Sequence, residues 1–338
     1  MLTAISDPKD LVQIIFQQSP DLQFSKRFFN GREFVVQAGG PKENAFWGNW
    51  ILDYYAPYFV LITFGEQQVD AIKSLALAFA NIFPEQNFLW QHRGATRGNE
   101  WLQFDRNSQQ FISFAPIALV CEELHVVEKI MEKLNESEKV ILKFHCQLGQ
   151  DQNTGLFLDM VGLRHWFLQQ GQTLIEDKKI LNLFSYTGAM SVALARAGAK
   201  EIHNIDMKKS FLNISQKNHA LNEIKRGVFH HDLDILKSYG RLERKGPYDW
   251  IISDPPSNQT SFQLKRHLPN LLKRLGPMLA LESHAMICAN DPFVGPEEFK
   301  EIIGNNFSRP LKSLDLLPTN KGILGEALSP LKVFWLTI

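Results

Sequence analysis

From about Lys179 onward, short apolar runs alternate with longer amphipathic stretches, the pattern of a parallel sheet covered by helices. Ile180 to Phe184 is predicted as a first strand, followed by a turn at Ser185-Tyr186-Thr187-Gly188 and an Ala-rich helix ending at Gly198. Ile202 to Ile205 reads as a second strand that ends on Asp206, and Phe211, Ile214, Leu221 and Ile224 then recur near helical spacing. Val228 and Phe229 make a third strand ending at His231-Asp232, with a helix starting at Ile235 and Leu236. Trp250 to Ile252 form a fourth strand, stopped at Asp254-Pro255-Pro256 because proline has no N–H to give to a ladder. Beyond it the pattern predicts a helix over Leu268 to Leu281, a fifth strand over Ala285 to Ala289 and a helix over Glu297 to Ile303. Leu314 to Leu317 and Val333 to Ile338 then suit an antiparallel pair on the sheet edge.

The first half follows a different pattern. Ile51 to Tyr55 and Phe59 to Phe64 flank Ala56-Pro57 as a hairpin, Val69 to Ile82 has helical periodicity, and Phe88 to Gln91 and Trp101 to Phe114 read as strands. Leu124, Val127, Met131 and Leu134 suggest a helix, with the polar stretch Asn135 to Lys139 after it as a boundary. The predicted organisation is therefore an unplaced segment over 1–45, a smaller α+β domain over 46–140 and an α/β domain over 141–338.

Composition narrows the choice. The 338 residues are 44% apolar and carry 36 Lys and Arg against 36 Asp and Glu, so no global field draws the chain to nucleic acid or anionic lipid, and a polyanion must be met by a local patch. Three dispersed cysteines, Cys121, Cys146 and Cys288, fit neither a disulfide framework nor a zinc site and point to a reducing, cytoplasmic setting. No leader pattern or membrane-length apolar run is expected, and no histidine spacing suggests a metal.

In an open α/β sheet, ligands sit beyond the carboxyl ends of the strands. Those ends are polar here. The loop after strand one offers hydroxyls, backbone N–H groups and a helix N-terminus, suited to a carboxylate or phosphate. Asp206, eighteen residues past Gly188, can accept both hydroxyls of a ribose, and Asp232 can accept from an exocyclic amine such as that of adenine. Together with Asp254 at the fourth end, these residues describe a nucleoside bearing an amino-acid tail, S-adenosylmethionine. Taken singly, each has a plainer reading: Gly188 as a helix-packing glycine, Asp206 and Asp232 as helix N-caps, Asp254 as a cap beside two strand-ending prolines. A dinucleotide fits less well, because the turn lacks the three glycines of G-x-G-x-x-G.

LNLFSYTGAM from Leu181, NIDMKKSFL from Asn204, HHDLDIL from His230 and SDPPS from Ser253 resemble the class I S-adenosylmethionine-dependent methyltransferases of large-subunit ribosomal RNA. TGLFLD from Thr154 is similar to the hairpin by which that family enters its catalytic domain, and Ile51 to Gln91 to its middle α+β domain. The resemblance covers about residues 45–338 and implies a Rossmann-like methyltransferase sheet, mostly parallel with an antiparallel edge hairpin. It implies that Ser185, Tyr186, Thr187 and Gly188 face the methionine part of S-adenosyl-L-methionine, Asp206 the ribose and Asp232 the adenine, with Phe184, Met207, Leu233 and Asp254 also in the cofactor site. Asp254 and Pro255 would line the junction of cofactor and target base.

Two departures matter. Asp159 is followed by Met160 and Val161 where the family often has Gln-Arg or His-Arg, unless Arg164 takes that role, and the position aligned with the nucleophilic Cys of 5-methylcytosine-forming members is Asn290. The expected catalytic residues are then Asp254, Pro255 and Asn290, acting on a nitrogen of an RNA base. A small-molecule or protein methyltransferase, or a non-catalytic cofactor-binding module, are the alternatives. For RNA, Lys265, Arg266, His267, Lys273 and Arg274 offer cations after the DPP loop. Lys26, Arg27, Arg32, His92, Arg93 and Arg97 offer more in the first half, the plainer reading of all these cations being a solvated face, and Phe28, Phe29, Trp90 and Trp101 could stack extruded bases or belong to the core.

Overall fold

Leu11, Val12 and Ile15 share one side of α1 (Pro8–Gln18), and Ile72, Leu75, Ala76 and Phe79 recur at helical spacing on α2 (Val69–Ile82), so each helix has an apolar stripe to bury. The computed structural model, which describes residues 8–18, 22–31, 49–65, 68–94, 98–131, 134–259, 261–291, 294–317 and 331–338, buries both stripes in one aromatic core. The sheet that completes this core runs β1 (Lys26–Asn30), β2 (Trp50–Tyr55), β3 (Tyr58–Phe64), β4 (Asn87–Gly94), β5 (Gly98–Asp105), β6 (Gln110–Ser113) in chain order. Every neighbouring pair is antiparallel except β3 and β4. That pair is parallel because α2 is the connection between them, and a parallel return needs a crossover of about a dozen residues or more. Phe59 sits at the centre of the core, 4.4 Å from Phe79 and 4.7 Å from Tyr54 between ring centroids.

The segment before residue 45, unplaced from its pattern, supplies α1 and β1. Arg27 of β1 forks onto Asp53 of β2, with Nε 2.7 Å from Oδ1 and Nη2 2.9 Å from Oδ2, and its Nη1 lies 3.4 Å from Asp159 Oδ2. Burial works against that charge, but the carboxylates of Asp53 and Asp159 outweigh it and hold the guanidinium pKa above its ordinary value. Arg93 is likewise engaged, donating to the Gln91 side chain and the Gln152 carbonyl. Phe28, Phe29, Trp90 and Trp101 are all buried and build the interior, the core reading of the two open for them. Arg32 and Arg97 lie outside the described residues.

The helix expected around Leu124–Leu134 is a strand. β7 (Ile117–Met131) and β8 (Leu134–Leu148) form a two-stranded sheet, and the polar stretch Asn135–Lys139 falls inside β8. The period is two: Cys121, Glu123, His125 and Val127 are buried, whereas Val120 and Val126 are exposed. Four apolar residues at a spacing of three or four imitated a helix within a β-branched run. Thr154–Asp159 is not a hairpin either; it is an irregular stretch entering a 3-10 turn (Leu158–Met160) that leads into α3 (Val161–Gln169), where Arg164 is buried.

The chain divides into two compact units, whose described residues lie within Met1–Leu124 and Lys143–Val161 for the first and within His125–Leu142, Gly162–Thr319 and Pro330–Ile338 for the second. The second holds β9 (Lys179–Leu183), α4 (Ala189–Arg196), β10 (Glu201–Asp206), α5 (Lys209–Leu221), β11 (Val228–Asp232), α6 (Tyr239–Glu243) and β12 (Tyr248–Ser253). It continues with α7 (Leu264–Leu275), β13 (Leu279–Asn290), α8 (Pro296–Asn306), β14 (Ser313–Leu316) and β15 (Leu331–Thr337). Strand order is β11-β10-β9-β12-β13-β15-β14, parallel through β13 and antiparallel at the β15 and β14 edge, as the apolar pattern predicts. The order reverses between β9 and β12, so the crevice of an open α/β sheet lies there. The helix expected over Leu268–Leu281 instead starts at Leu264 and ends at Leu275. Gly276-Pro277 closes it, and Arg309 donates to the carbonyls of Leu279, Ala280 and Leu281, which secures that stretch as the start of β13. No described helix is long and apolar enough to cross a membrane.

The two faces of this sheet differ in kind. Leu181, Leu183, Ile205 and Ile251 join Leu242 of α6, Leu268, Leu271, Leu272 and Leu275 of α7, and Phe299 and Ile303 of α8 in one apolar core. Each fully buried leucine there contributes about 1.5–3 kcal/mol. The alternate residues Asn182 and Asn204 point to the other face, where Asn204 meets Ser191 of α4. In the first unit, replacing Arg27 by Met would strand Asp53 without its countercharge, and a loss of about 3–5 kcal/mol is expected, read as a lowered denaturant midpoint.

Candidate functional site

β9, β10, β11 and β12 end at Leu183, Asp206, Asp232 and Ser253. The loop leaving β9 is held in an unusual conformation: Phe184 and Tyr186 have φ of 57° and 49°, and Gly188, the residue capping α4, has φ of 76°. Left-handed backbone costs a non-glycine residue about 1–2 kcal/mol, so contacts must hold it. Ser185 N–H donates to the Ile205 carbonyl at 3.0 Å and Gly188 N–H to the Ser185 carbonyl at 2.9 Å. Tyr186 N–H donates to Asp206 Oδ2 at 2.9 Å. The Phe184 ring meets Phe262 edge-on at 5.1 Å, and the Tyr186 ring meets Phe211 at 4.4 Å.

Asp206 is the common partner of these strand ends. Its Oδ1 accepts from Lys208 N–H at 2.9 Å, and its carbonyl accepts from Leu233 N–H at 3.0 Å. Burial raises its pKa above the ordinary 3.8, the amides of Lys208 and Tyr186 pull the other way, and the neighbouring Asp232 carboxylate adds to the rise. Each carboxylate oxygen accepts one amide here and has a second lone pair for a ligand. Neither Asp206 nor Asp232 occupies a helix-cap position. The cap position of α5 is Lys208, with no side-chain capping bond, and it is Asp234, not Asp232, that caps the next turn, accepting from Leu236 N–H at 3.0 Å. Asp232 is exposed beside Asp206 in parallel register, and Met207 is exposed too. Gly188 does pack helices: a Cβ there would fall 2.0 Å from Ser215 Oγ.

Beneath the loop runs a polar network that the spacing of residues did not reveal. Asn182 Nδ2 donates to Asn204 Oδ1 at 2.8 Å, and Asn204 Nδ2 to Ser191 Oγ at 2.9 Å. Ser191 Oγ lies 2.9 Å from both the Gly188 carbonyl and His219 Nε2. His219 Nδ1 donates to the Ser215 carbonyl at 2.6 Å, and burial lowers its pKa, so the ring is neutral and Nε2 can only accept. The single proton of Ser191 is thereby drawn to the ring, while the Gly188 carbonyl keeps its helical bond from Val192 N–H. Ser215 Oγ continues the chain to His230 Nε2 at 2.9 Å, and Asn218 Nδ2 donates to the Thr187 carbonyl at 2.9 Å. Burial pushes His230 down to about 4. A periodicity search treats these residues as isolated polar interruptions; only the fold brings 182, 191, 204, 215, 219 and 230 together.

On the other side of the switch point, β12 stops at Ser253, leaving Asp254 half-buried and Pro255 buried just past the ladder. Asn290 is exposed at the end of β13, and Ser257 Oγ donates to its carbonyl, which ties the DPP loop to that strand end. Lys332 of β15, opposite Ala289, donates to the Asp291 carbonyl, and burial pushes its pKa down to about 8. Lys332 was not foreseen, since one Lys inside a terminal apolar run carries no signal. The structure thus groups the expected residues at adjacent strand ends. Two of these ends carry a further observation: the buried hydroxyls of Ser185 and Ser253 have no hydrogen-bond partner among the described residues. An unpaired buried hydroxyl costs about 1–3 kcal/mol unless a ligand meets it. Such hydroxyls, with the free lone pairs of Asp206, fit a polar nucleoside cofactor.

A family model described as S-adenosylmethionine-dependent methyltransferase matches residues 119–315. Among curated proteins, the ribosomal RNA large subunit methyltransferase K/L of Alteromonas mediterranea is 36% identical over 143 residues, 40% of this chain and 20% of that protein. Its namesake in Cellvibrio japonicus is 35% identical over 143 residues, 40% of this chain and 18% of that protein. The chain therefore spans about a fifth of the length of these curated relatives. Of solved structures, a Streptococcus mutans protein assigned as a SAM-dependent methyltransferase aligns with a TM-score of 0.73 at 19% identity, covering 98% of this chain and 82% of that one. The SAM-dependent methyltransferase of Agrobacterium tumefaciens gives a TM-score of 0.58 at 19% identity, covering 86% and 87%. At such identity these structures speak to the fold alone: a Rossmann-like sheet.

Because folding raises the Asp206 pKa, this group favours the folded apoprotein below 3.8, and that contribution is lost as pH rises through the folded value. Binding of S-adenosylmethionine to the charged carboxylate should run the opposite way, weakening as pH falls through the same raised value. Calorimetric titration across the acid range should show that loss at a higher pH than an ordinary aspartate gives. Asp206→Ala should weaken the cofactor by about 1.5–3 kcal/mol at neutral pH, and unchanged affinity would refute the assignment.

Proposed function

The chain belongs to the S-adenosylmethionine-dependent methyltransferase family, and from that premise we propose that it methylates a base nitrogen in large-subunit ribosomal RNA. The names of its curated relatives support the RNA substrate. Residues that would hold the cofactor are Ser185 to Gly188 for its methionine part, Asp206 for the ribose and Asp232 for the adenine, with Phe184, Met207 and Leu233 flanking them. When bound, the cofactor supplies an electrophilic methyl group, whose transfer needs little beyond alignment and an available lone pair.

Cys288 carries the nitrogen reading. Methylation at carbon five of cytosine needs a thiolate that adds to the neighbouring ring carbon, and the thiolate form is what makes a cysteine reactive. Cys288 is fully buried inside β13; burial pushes its thiol pKa well above the ordinary value, and the Asp254 carboxylate pushes it further. It stays a core thiol at neutral pH. An amine asks for less. The Asp254 carboxylate can accept one of its hydrogens, the buried Pro255 ring limits where it can sit, and the exposed Asn290 amide can hydrogen-bond the base edge.

Labelled methyl transfer to ribosomal RNA from cells lacking this protein, followed by nucleoside analysis, tests the proposal. Cys288→Ala should retain near-normal transfer, and Asp254→Ala should lose about 100-fold or more in rate. A 5-methylcytosine product, or inactivity of a folded Cys288→Ala protein, would overturn the nitrogen assignment.

A further inference from the structure

We propose that α6, α7 and the exposed edge of β11 form a face that binds a single-stranded stretch of RNA, its phosphates on Arg and Lys and its bases on Phe229; this rests on the RNA reading above. The chain has no net charge, yet residues 235–275 carry eight Lys and Arg against three Asp and Glu. Four of these cations lie on α7, which carries no Asp or Glu. Arg241, Arg244, Arg266, Lys273 and Arg274 are exposed, and the Arg274 guanidinium lies 5.7 Å from the Tyr239 ring, which joins α7 to α6. Arg241 and Lys245 act electrostatically on His231 of β11, so the positive field extends to the sheet edge. The field is bounded as well. Beyond α7 lies α8 with exposed Glu297, Glu298 and Glu301, and the border is the Lys265–Glu298 ion pair at 3.2 Å. A solvated helix face would mix both signs along its length; α7 carries cations and no Asp or Glu, while α6 sets Glu243 beside Arg241 and α8 sets Lys300 among its glutamates.

An exposed aromatic distinguishes this face from a merely basic one. Phe229 is 47% exposed although it sits in a strand, and its ring stacks on His203 at 5.2 Å and 20°. His203 also stacks on His231 at 5.1 Å and meets Tyr248 edge-on at 5.7 Å. Phe229 is thus backed by rings on one side and open on the other. A cationic track beside an open ring is how proteins hold single strands: phosphates supply the salt-dependent part and base stacking the salt-independent part. α7 also begins a few residues beyond the DPP loop, so a strand lying on this face leads toward Asp254. Among the described residues of the first unit, Arg27 and Arg93 are spent on internal contacts.

The test uses the full chain and a labelled single-stranded oligouridylate, with affinity measured across a salt series. Arg241→Gln, Arg266→Gln and Lys273→Gln together should weaken binding and reduce the slope of log affinity against log salt by about 2, since each phosphate contact on single strands contributes about 0.7. Phe229→Ala should weaken binding about tenfold with the slope unchanged. S-adenosylmethionine affinity and melting temperature should stay at wild-type values in the charge variant. Lys217→Gln with Lys225→Gln, on and just beyond α5, should do nothing; a loss there equal to that of the triple variant would mean general attraction and would overturn the proposal. So would an unaltered slope in the triple variant, or loss of phosphatidylglycerol vesicle binding in that variant without loss of oligonucleotide binding. Wild-type protein that methylates ribosomal RNA while the triple variant binds and methylates it equally well refutes this face alone, whereas wild type inactive on RNA refutes the substrate reading.

Discussion

One aspartate, through its carboxylate and its carbonyl, ties together the loops at three strand ends. Asp206 takes the amide of Tyr186 on one oxygen and that of Lys208 on the other, while its carbonyl takes the amide of Leu233. The first of these bonds holds Tyr186 in left-handed backbone together with the Ser185 amide on the Ile205 carbonyl and the Gly188 amide on the Ser185 carbonyl. The arrangement carries an electrostatic penalty, because a carboxylate partly removed from water beside Asp232 is raised in pKa even with two amides on it. A ligand that brings further donors relieves that penalty. The loop's strain and the carboxylate's desolvation thus fall at the same place.

The network below the loop explains why that place is rigid. Every link from Asn182 to His230 has a partner at hydrogen-bonding distance, and a fully satisfied buried chain has one arrangement rather than several. Neutral His219 supplies the direction: with Nδ1–H committed to Ser215, it can only receive the Ser191 proton. Gly188 then has no choice of residue, since its Cβ position is filled by Ser215 Oγ, itself a link in the chain. Helix packing and the loop's conformation are one constraint here, which reconciles the structural and functional readings of that glycine.

How much of this was legible follows from the range of the interactions. Strands and helices from Lys179 onward, and the hairpin at Ala56-Pro57, were readable because their signals are local: a run of apolar residues, a period, a proline. The residues facing the crevice were readable because a parallel sheet must present its carboxyl ends there. β7 was misread because Leu124, Val127, Met131 and Leu134 satisfy a helical period that their partner strand overrides. The network, Lys332 and the Arg27–Asp53 pair were invisible, since each joins residues that mean nothing at their own positions. Arg27 shows the cost of a local rule: a cation beside two phenylalanines reads as a nucleic-acid contact until the strand opposite it supplies Asp53.

The substrate side of the crevice is built by backbone more than by side-chain contacts. Pro255 and Pro256 cannot continue the ladder, so Asp254 leaves the sheet at a point set by covalent geometry. β13 runs on to Asn290 because the antiparallel partner β15 continues beside it, pairing Asn290 with Leu331. One strand end is therefore fixed by a break in pairing and the other by its persistence. The Ser257 hydroxyl on the Asn290 carbonyl and the Lys332 ammonium on the Asp291 carbonyl close the gap between them. Both donors grip main-chain carbonyls, so the two strand ends are tied together through backbone groups. For a displacement whose rate depends on alignment, a frame that fixes positions through the backbone is the economical solution.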